Sequence, residues 1–161
     1  MPDMLVKLYE LPSVDGLVRA FGDQGVILRR AIAPEKHPVV TWVYDTFGQG
    51  WSDECEVSFS RAPVSCFVAQ GSEGMIGFAC YDATAKAFFG PTGVREDQRN
   101  RGIGRALLLL SLYAMACDGY AYAIIGGAGP MAFYTKVVGA TTIEGSMPGI
   151  YRNMLKNGPP S

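Results

Sequence analysis

The stretch Arg99-Asn100-Arg101-Gly102-Ile103-Gly104-Arg105 gathers the residue types that bind an oxygen-rich anion. Immediately after it comes the apolar series Leu107, Leu108, Leu110, Leu112 and Met115, so a helix is expected to begin near Gly102. The first amides of a helix have no acceptor inside it. Together with the positive end of the helix dipole they attract anions, by roughly 0.3–1 kcal/mol per exposed interaction. Gly102 and Gly104 carry no side chain that would keep an anion off the backbone. Arg99, Arg101 and Arg105 add planar donors matched to phosphate oxygens. A diphosphate suits this chemistry.

Two familiar phosphate loops are excluded. A Walker A loop places Lys and then Ser or Thr after its last glycine, where this chain has Arg105-Ala106. A dinucleotide fingerprint needs a third glycine where Leu107 stands and an acid at the end of the following strand. The run from Tyr120 to Gly126 ends without one.

The elements that must hold this loop can be read around it. A strand is expected from Met4 to Leu11, then a small helix capped by Ser13 and running towards Phe21, and a second strand from Val26 to Ala33. Pro34-Glu35 opens a helix that Gly48 ends, and Trp51 to Phe59 forms another. Ser65 to Gln70, Met75 to Asp82 and Ala87 to Val94 read as an antiparallel meander, because their connections are too short for a crossover. The long helix runs from Gly102 to about Asp118, and Tyr120 to Gly126 is a buried parallel strand. Pro130 starts a short helix to Val138, and a strand or hairpin spans Ala140 to Leu155. The expectation is one α/β domain over residues 1–156, with residues 1–25 an N-terminal strand–helix extension and 157–161 a frayed tail.

The loop Arg99-Asn100-Arg101-Gly102-Ile103-Gly104, with Val94 at the preceding strand end, resembles the acetyl-CoA loop of the GNAT superfamily. Ala132-Phe133-Tyr134-Thr135-Lys136-Val137-Val138-Gly139-Ala140 is similar to that superfamily's second conserved segment. With the order of strands and helices around them, the two segments extend the resemblance over about Ser65 to Ala140, roughly half the chain. The resemblance implies a mixed, mainly antiparallel sheet with helices on both faces and splayed central parallel strands. It implies an enzyme that moves an acetyl group from acetyl-CoA to a primary amine of a small molecule in a ternary complex. Thr92, Gly93, Val94 and the loop from Arg99 to Arg105 would bind the cosubstrate, and Tyr134 would be the general acid. Glu54 is the candidate base, and Trp51 and Glu56 are candidate acceptor-binding residues; Asp53, Asp82 and Glu144 are further acids to weigh. Two positions depart from the superfamily pattern, Gly127 in place of an asparagine and Ala140 in place of a phenylalanine. The Ser146 to Tyr151 segment resembles members of amino-sugar metabolism, so an amino sugar is one acceptor to expect. A homodimer is also in keeping with the resemblance.

The alternatives are a CoA-binding sensor without catalysis and a transferase acting on peptides or proteins. Composition narrows the classes. With 14 basic and 15 acidic residues the net charge is −1, which offers no global field for nucleic acid or an anionic membrane. The single histidine, His37, leaves no His-rich metal site, and no metal is expected. Cys55, Cys66, Cys80 and Cys117 form no CxxC pair and read as buried free thiols in a reducing compartment. With no signal-like start and no apolar run long enough for a bilayer, a cytoplasmic protein is expected.

Overall fold

Strand-forming residues dominate from Cys66 to Val94, broken at two turns, and this meander is the centre of the fold. The computed structural model describes residues 1–156. Strands β3 (Cys66–Gly71), β4 (Gly74–Tyr81) and β5 (Phe88–Val94) pair antiparallel in succession, as expected. Preceding them are β1 (Met4–Lys7), α1 (Leu17–Asp23), β2 (Ile27–Arg30), α2 (Lys36–Phe47) and α3 (Gln49–Ser58). Following them are α4 (Ile103–Cys117), β6 (Tyr122–Ile125), α5 (Met131–Val138) and β7 (Thr141–Thr142). The seven-stranded sheet has the order β2-β3-β4-β5-β6-β1-β7, and β5 with β6 is its parallel pair.

Because side chains alternate between the faces of a strand, the sheet carries two cores. On one face, Val6, Leu28, Ala79 and Phe89 pack with α4 and with Tyr134 of α5. On the other, Val68, Phe78 and Cys80 pack with Val39 and Val43 of α2 and Cys55 of α3. Helix α4 buries Ile103, Leu107, Leu108, Leu109, Leu112 and Met115. At about 1.5–3 kcal/mol for each large apolar side chain, that burial outweighs any single contact at its N-terminus. The helix start is therefore held rigidly by its own body.

Six expectations are corrected. The first strand stops at Lys7, and Leu8–Glu10 is a 3-10 turn. That strand is also no appendage. It lies inside the sheet between β6 and β7, with Met4 and Val6 buried. Ser13 does not cap α1; its hydroxyl accepts the Asp15 N–H at 3.1 Å, and the helix begins beyond Gly16. The expected hairpin from Ala140 to Leu155 reduces to Thr141–Thr142, paired with β1. Gly145, Pro148 and Gly149 interrupt any longer ladder, and Gly149–Tyr151 forms a 3-10 turn instead. Tyr122 does not pack in the sheet but stands exposed against Tyr9, their rings 5.7 Å apart. Cys117 is exposed. The tail expected to fray, 157–161, lies outside the described residues. No helix among the described residues is long and apolar enough to cross a membrane.

Candidate active site

Strands β5 and β6 are paired only where the start of β5 meets the end of β6, through Phe88↔Ile124 and Phe89↔Ile125. There Gly90 and Pro91 together oppose Cys80 of β4, a bulge that redirects β5. Beyond it, Thr92, Gly93 and Val94 stay in register with Ala79, Phe78 and Gly77. Their other edge faces no strand. The two strands diverge into a cleft of about 900 Å³, bordered across from β5 by the Gly126 to Pro130 loop and by α5.

One end of the cleft is the start of α4. Gly102 precedes the helix with φ +79°, a conformation that L side chains rarely adopt. Asn100, two residues earlier, also has a positive φ, of 65°. The first helical bond runs from Ala106 N–H to Gly102 O at 3.0 Å, so the amides of Ile103, Gly104 and Arg105 precede the ladder. All three residues line the cleft, as do Arg99, Asn100 and Gly102. Arg99 Nε donates to Val94 O at 3.1 Å and ties the loop to the end of β5. Arg101 is absent from the cleft wall and donates to Gln98 Oε1. Of the three arginines read as phosphate ligands, two therefore reach the cleft.

At the other end, Tyr134 projects from α5 with its ring edge towards Phe89, 6.4 Å between centroids. It is 5 % exposed, and burial pushes its pKa up to about 12, so it remains an O–H donor at neutral pH. Glu54 lines the cleft from α3 and accepts the Thr84 hydroxyl at 2.5 Å. Trp51, one turn earlier on the same helix face, also lines it, with its ring 5.0 Å from that of Phe47. Glu56 does not reach the cleft. Two residues along a helix is a rotation of about 200°, which turns it to the outer side. There it pairs with Lys36 at 3.0 Å, beside a shallow concavity that includes the exposed His37.

Several residues of this end are given no role in the site by the sequence. Phe47 reads there only as part of the apolar face of α2, and Thr84 as an ordinary loop residue. Tyr151 enters from the 3-10 turn near the end of the described chain. Its hydroxyl lies so close to Gly126 that a Cβ there would be 2.7 Å from it, which explains the glycine. Burial raises the Tyr151 pKa, as do the Glu54 and Asp3 carboxylates. Asp3, 6 % exposed, accepts the Gly127 N–H at 2.8 Å, and its own N–H donates to Ser146 Oγ at 2.8 Å. It thereby joins the two loops that frame Tyr151. The excess of Pro and Gly around these positions was the available signal, and it reads as loop in any fold.

Away from the cleft, Cys55, Cys66 and Cys80 are fully buried with their sulfurs within 4.8 Å of one another. Hydrogen bonds from Cys66 and then Cys80 hold the Cys55 thiol down to about 5. The bond to Cys55 raises Cys66, and burial raises Cys80. Among the described residues this is the group of side chains with the geometry to hold a soft metal ion.

Comparisons with known proteins agree with this architecture. The fold is similar to a region of a fungal multi-domain GH3 beta-N-acetylglucosaminidase described as a GCN5-related glucosamine N-acetyltransferase region. That match has a TM-score of 0.69 and 14 % identity, and covers 88 % of this chain and 19 % of the other. It is also similar to a GCN5-related N-acetyltransferase from Sphaerobacter thermophilus, with a TM-score of 0.61, 16 % identity and coverage of 88 % and 48 %. A GCN5-related N-acetyltransferase from Kribbella flavida gives 0.57, 17 % identity and coverage of 88 % and 53 %. This chain thus spans between about a fifth and a half of the lengths of these structures. No curated protein matches the sequence. The acetyltransferase (GNAT) family profile matches residues 36–140, from the start of α2 to the residue before β7. That segment holds the diverging strands, the glycine-capped helix and the buried tyrosine, and by it the chain belongs to the acetyltransferase (GNAT) family.

Proposed function

We propose that this protein transfers an acetyl group from acetyl-CoA directly to a primary amine of a small molecule. The observation that carries the reading is the cleft between β5 and β6, with the unpaired amides of α4 at one end and Glu54 and Tyr134 towards the other. The residues fit CoA chemically. The amides of Ile103, Gly104 and Arg105, with the side chains of Arg99 and Arg105, would hold the diphosphate. The free edge of β5 from Thr92 to Val94 offers backbone groups to the amides of the pantetheine arm, as an added strand would. Holding both reactants in one cleft supplies much of the rate through positioning.

The amine arrives mainly as an ammonium ion, and its nitrogen attacks only when neutral. Glu54 accepts that proton, directly or through water, a role worth typically 10²–10⁴ in rate. The nitrogen then bonds to the thioester carbonyl carbon and the carbon–sulfur bond breaks. The nitrogen's second proton ends on the departing sulfur, towards which the Tyr134 hydroxyl donates. The products are the N-acetylated amine, CoA with its thiol restored, and one proton on Glu54 that passes to solvent. The likeness to the glucosamine N-acetyltransferase region, at 14 % identity, supports the fold and leaves the acceptor to be argued from the cleft.

The test is release of CoA thiol from acetyl-CoA in the presence of amino sugars, monoamines, polyamines and peptides. Turnover that requires a small amine supports the proposal. CoA binding without turnover of any amine would instead indicate a sensor, and turnover of peptides alone would indicate a protein acetyltransferase.

A further inference from the structure

The acceptor end of the cleft is built unevenly. Phe47 and Trp51 contribute aromatic side chains to it, while Phe89 is buried on the opposite face of the sheet against Tyr134. Trp51 is 40 % exposed although it lies against Phe47 and Phe78, which leaves much of its indole facing open space. Polar side chains near it are few. The Thr84 hydroxyl already donates to Glu54, and Asp3, buried and bonded to the Gly127 amide, is not part of the cleft wall. That leaves the Glu54 carboxylate and the Tyr151 hydroxyl to meet the acceptor, the Tyr134 hydroxyl being assigned to the departing sulfur.

We infer that the acceptor is a monoamine whose nitrogen is joined by a short aliphatic tether to an apolar, aromatic body. The inference rests on the transferase reading above and names the substrate class for it. Trp51 and Glu54 stand at i and i+3 on α3, so indole and carboxylate are neighbours on one helix face. A ring stacked on Trp51 and a nitrogen beside Glu54 are thus separated by about one helical turn, which a short tether spans. A polyhydroxylated sugar would bury several hydroxyls against Phe47 and Trp51 without partners, a poor exchange for the hydrogen bonds they make in water. A polyamine would bring two or more charges to a site with one available carboxylate. The aromatic faces instead suit a planar apolar body, and an exposed indole is a common anchor for one.

The experiment compares kcat/KM for phenethylamine, tryptamine, glucosamine and spermidine in thiol release from acetyl-CoA, with wild type and with Trp51→Ala and Trp51→Phe. The arylalkylamines are expected to exceed glucosamine and spermidine by about tenfold or more. Trp51→Ala should raise KM for phenethylamine by a similar factor while leaving kcat and CoA affinity near wild type, and Trp51→Phe should restore most of the loss. Glucosamine or spermidine used as well as phenethylamine, or an unchanged KM in Trp51→Ala, would overturn the inference and leave the transferase reading standing. Absence of turnover with all four amines, with CoA still bound, would overturn both.

Discussion

The Thr84 hydroxyl and the Glu54 carboxylate, brought together from the β4–β5 loop and from α3, meet at 2.5 Å on the wall of the cleft. The contact fixes one carboxylate oxygen and leaves the other to accept a proton. Glu54→Gln keeps the shape and removes the base. It should lower kcat by roughly 10²–10⁴ while CoA affinity stays the same. Steady-state kinetics and calorimetry separate the two effects, and a kcat within a factor of two of wild type would remove Glu54 from the mechanism.

Gly102 should tolerate no side chain. With φ at +79°, alanine there costs about 1–2 kcal/mol, which for a chain of this size lowers Tm by several degrees. Gly102→Glu adds bulk and negative charge beside the amides of α4 and should abolish measurable CoA binding. An unchanged Tm in Gly102→Ala, or unchanged CoA affinity in Gly102→Glu, would contradict the geometry assigned to this turn.

Tyr134 gives a pH signature. Burial raises its folded pKa to about 12, above the ordinary value of about 10, so the folded state binds this proton more tightly. Its contribution is complete below about pH 10 and is lost as pH rises towards 12, amounting to roughly 2–3 kcal/mol. Urea unfolding across that range should show a steeper loss of stability in wild type than in Tyr134→Phe. Parallel pH profiles would mean that the hydroxyl is solvated.

The cysteines divide sharply by accessibility. Cys117 is exposed, whereas Cys55, Cys66 and Cys80 are buried behind α3. A thiol reagent should label one cysteine rapidly in the native protein and all four in denaturant, with mass spectrometry placing the native label on Cys117. Fast native labelling of Cys55 would show that α3 opens readily, and with it the wall that carries Trp51 and Glu54.

Local features were legible in the sequence and long-range ones were not. The meander could be read because each strand from Cys66 to Val94 is bounded by its own turn residues. The start of α4 could be read because glycine, polar loop and apolar series adjoin one another. Those two readings contain the cosubstrate end of the cleft. The place of β1 between β6 and β7 depends on pairing Met4 with Ile125 and Thr142, separations that no local pattern reports. The acceptor end fails for the same reason. Glu54 and Glu56 look equivalent until the helix is oriented, and Tyr151 reaches Gly126 only because Asp3 joins their loops. Arg101 shows the limit within the legible part, since it donates to Gln98, which lines the cleft, and is not itself part of the wall.

The most direct test compares CoA with pantetheine in a calorimetric titration of the wild-type protein. If the amides of Ile103, Gly104 and Arg105 grip the diphosphate, pantetheine, which lacks it together with the 3′-phosphoadenosine, should bind about 100-fold or more weakly, the equivalent of ~2.7 kcal/mol. Equal affinity for the two, or no binding of CoA at all, would contradict the account at its foundation.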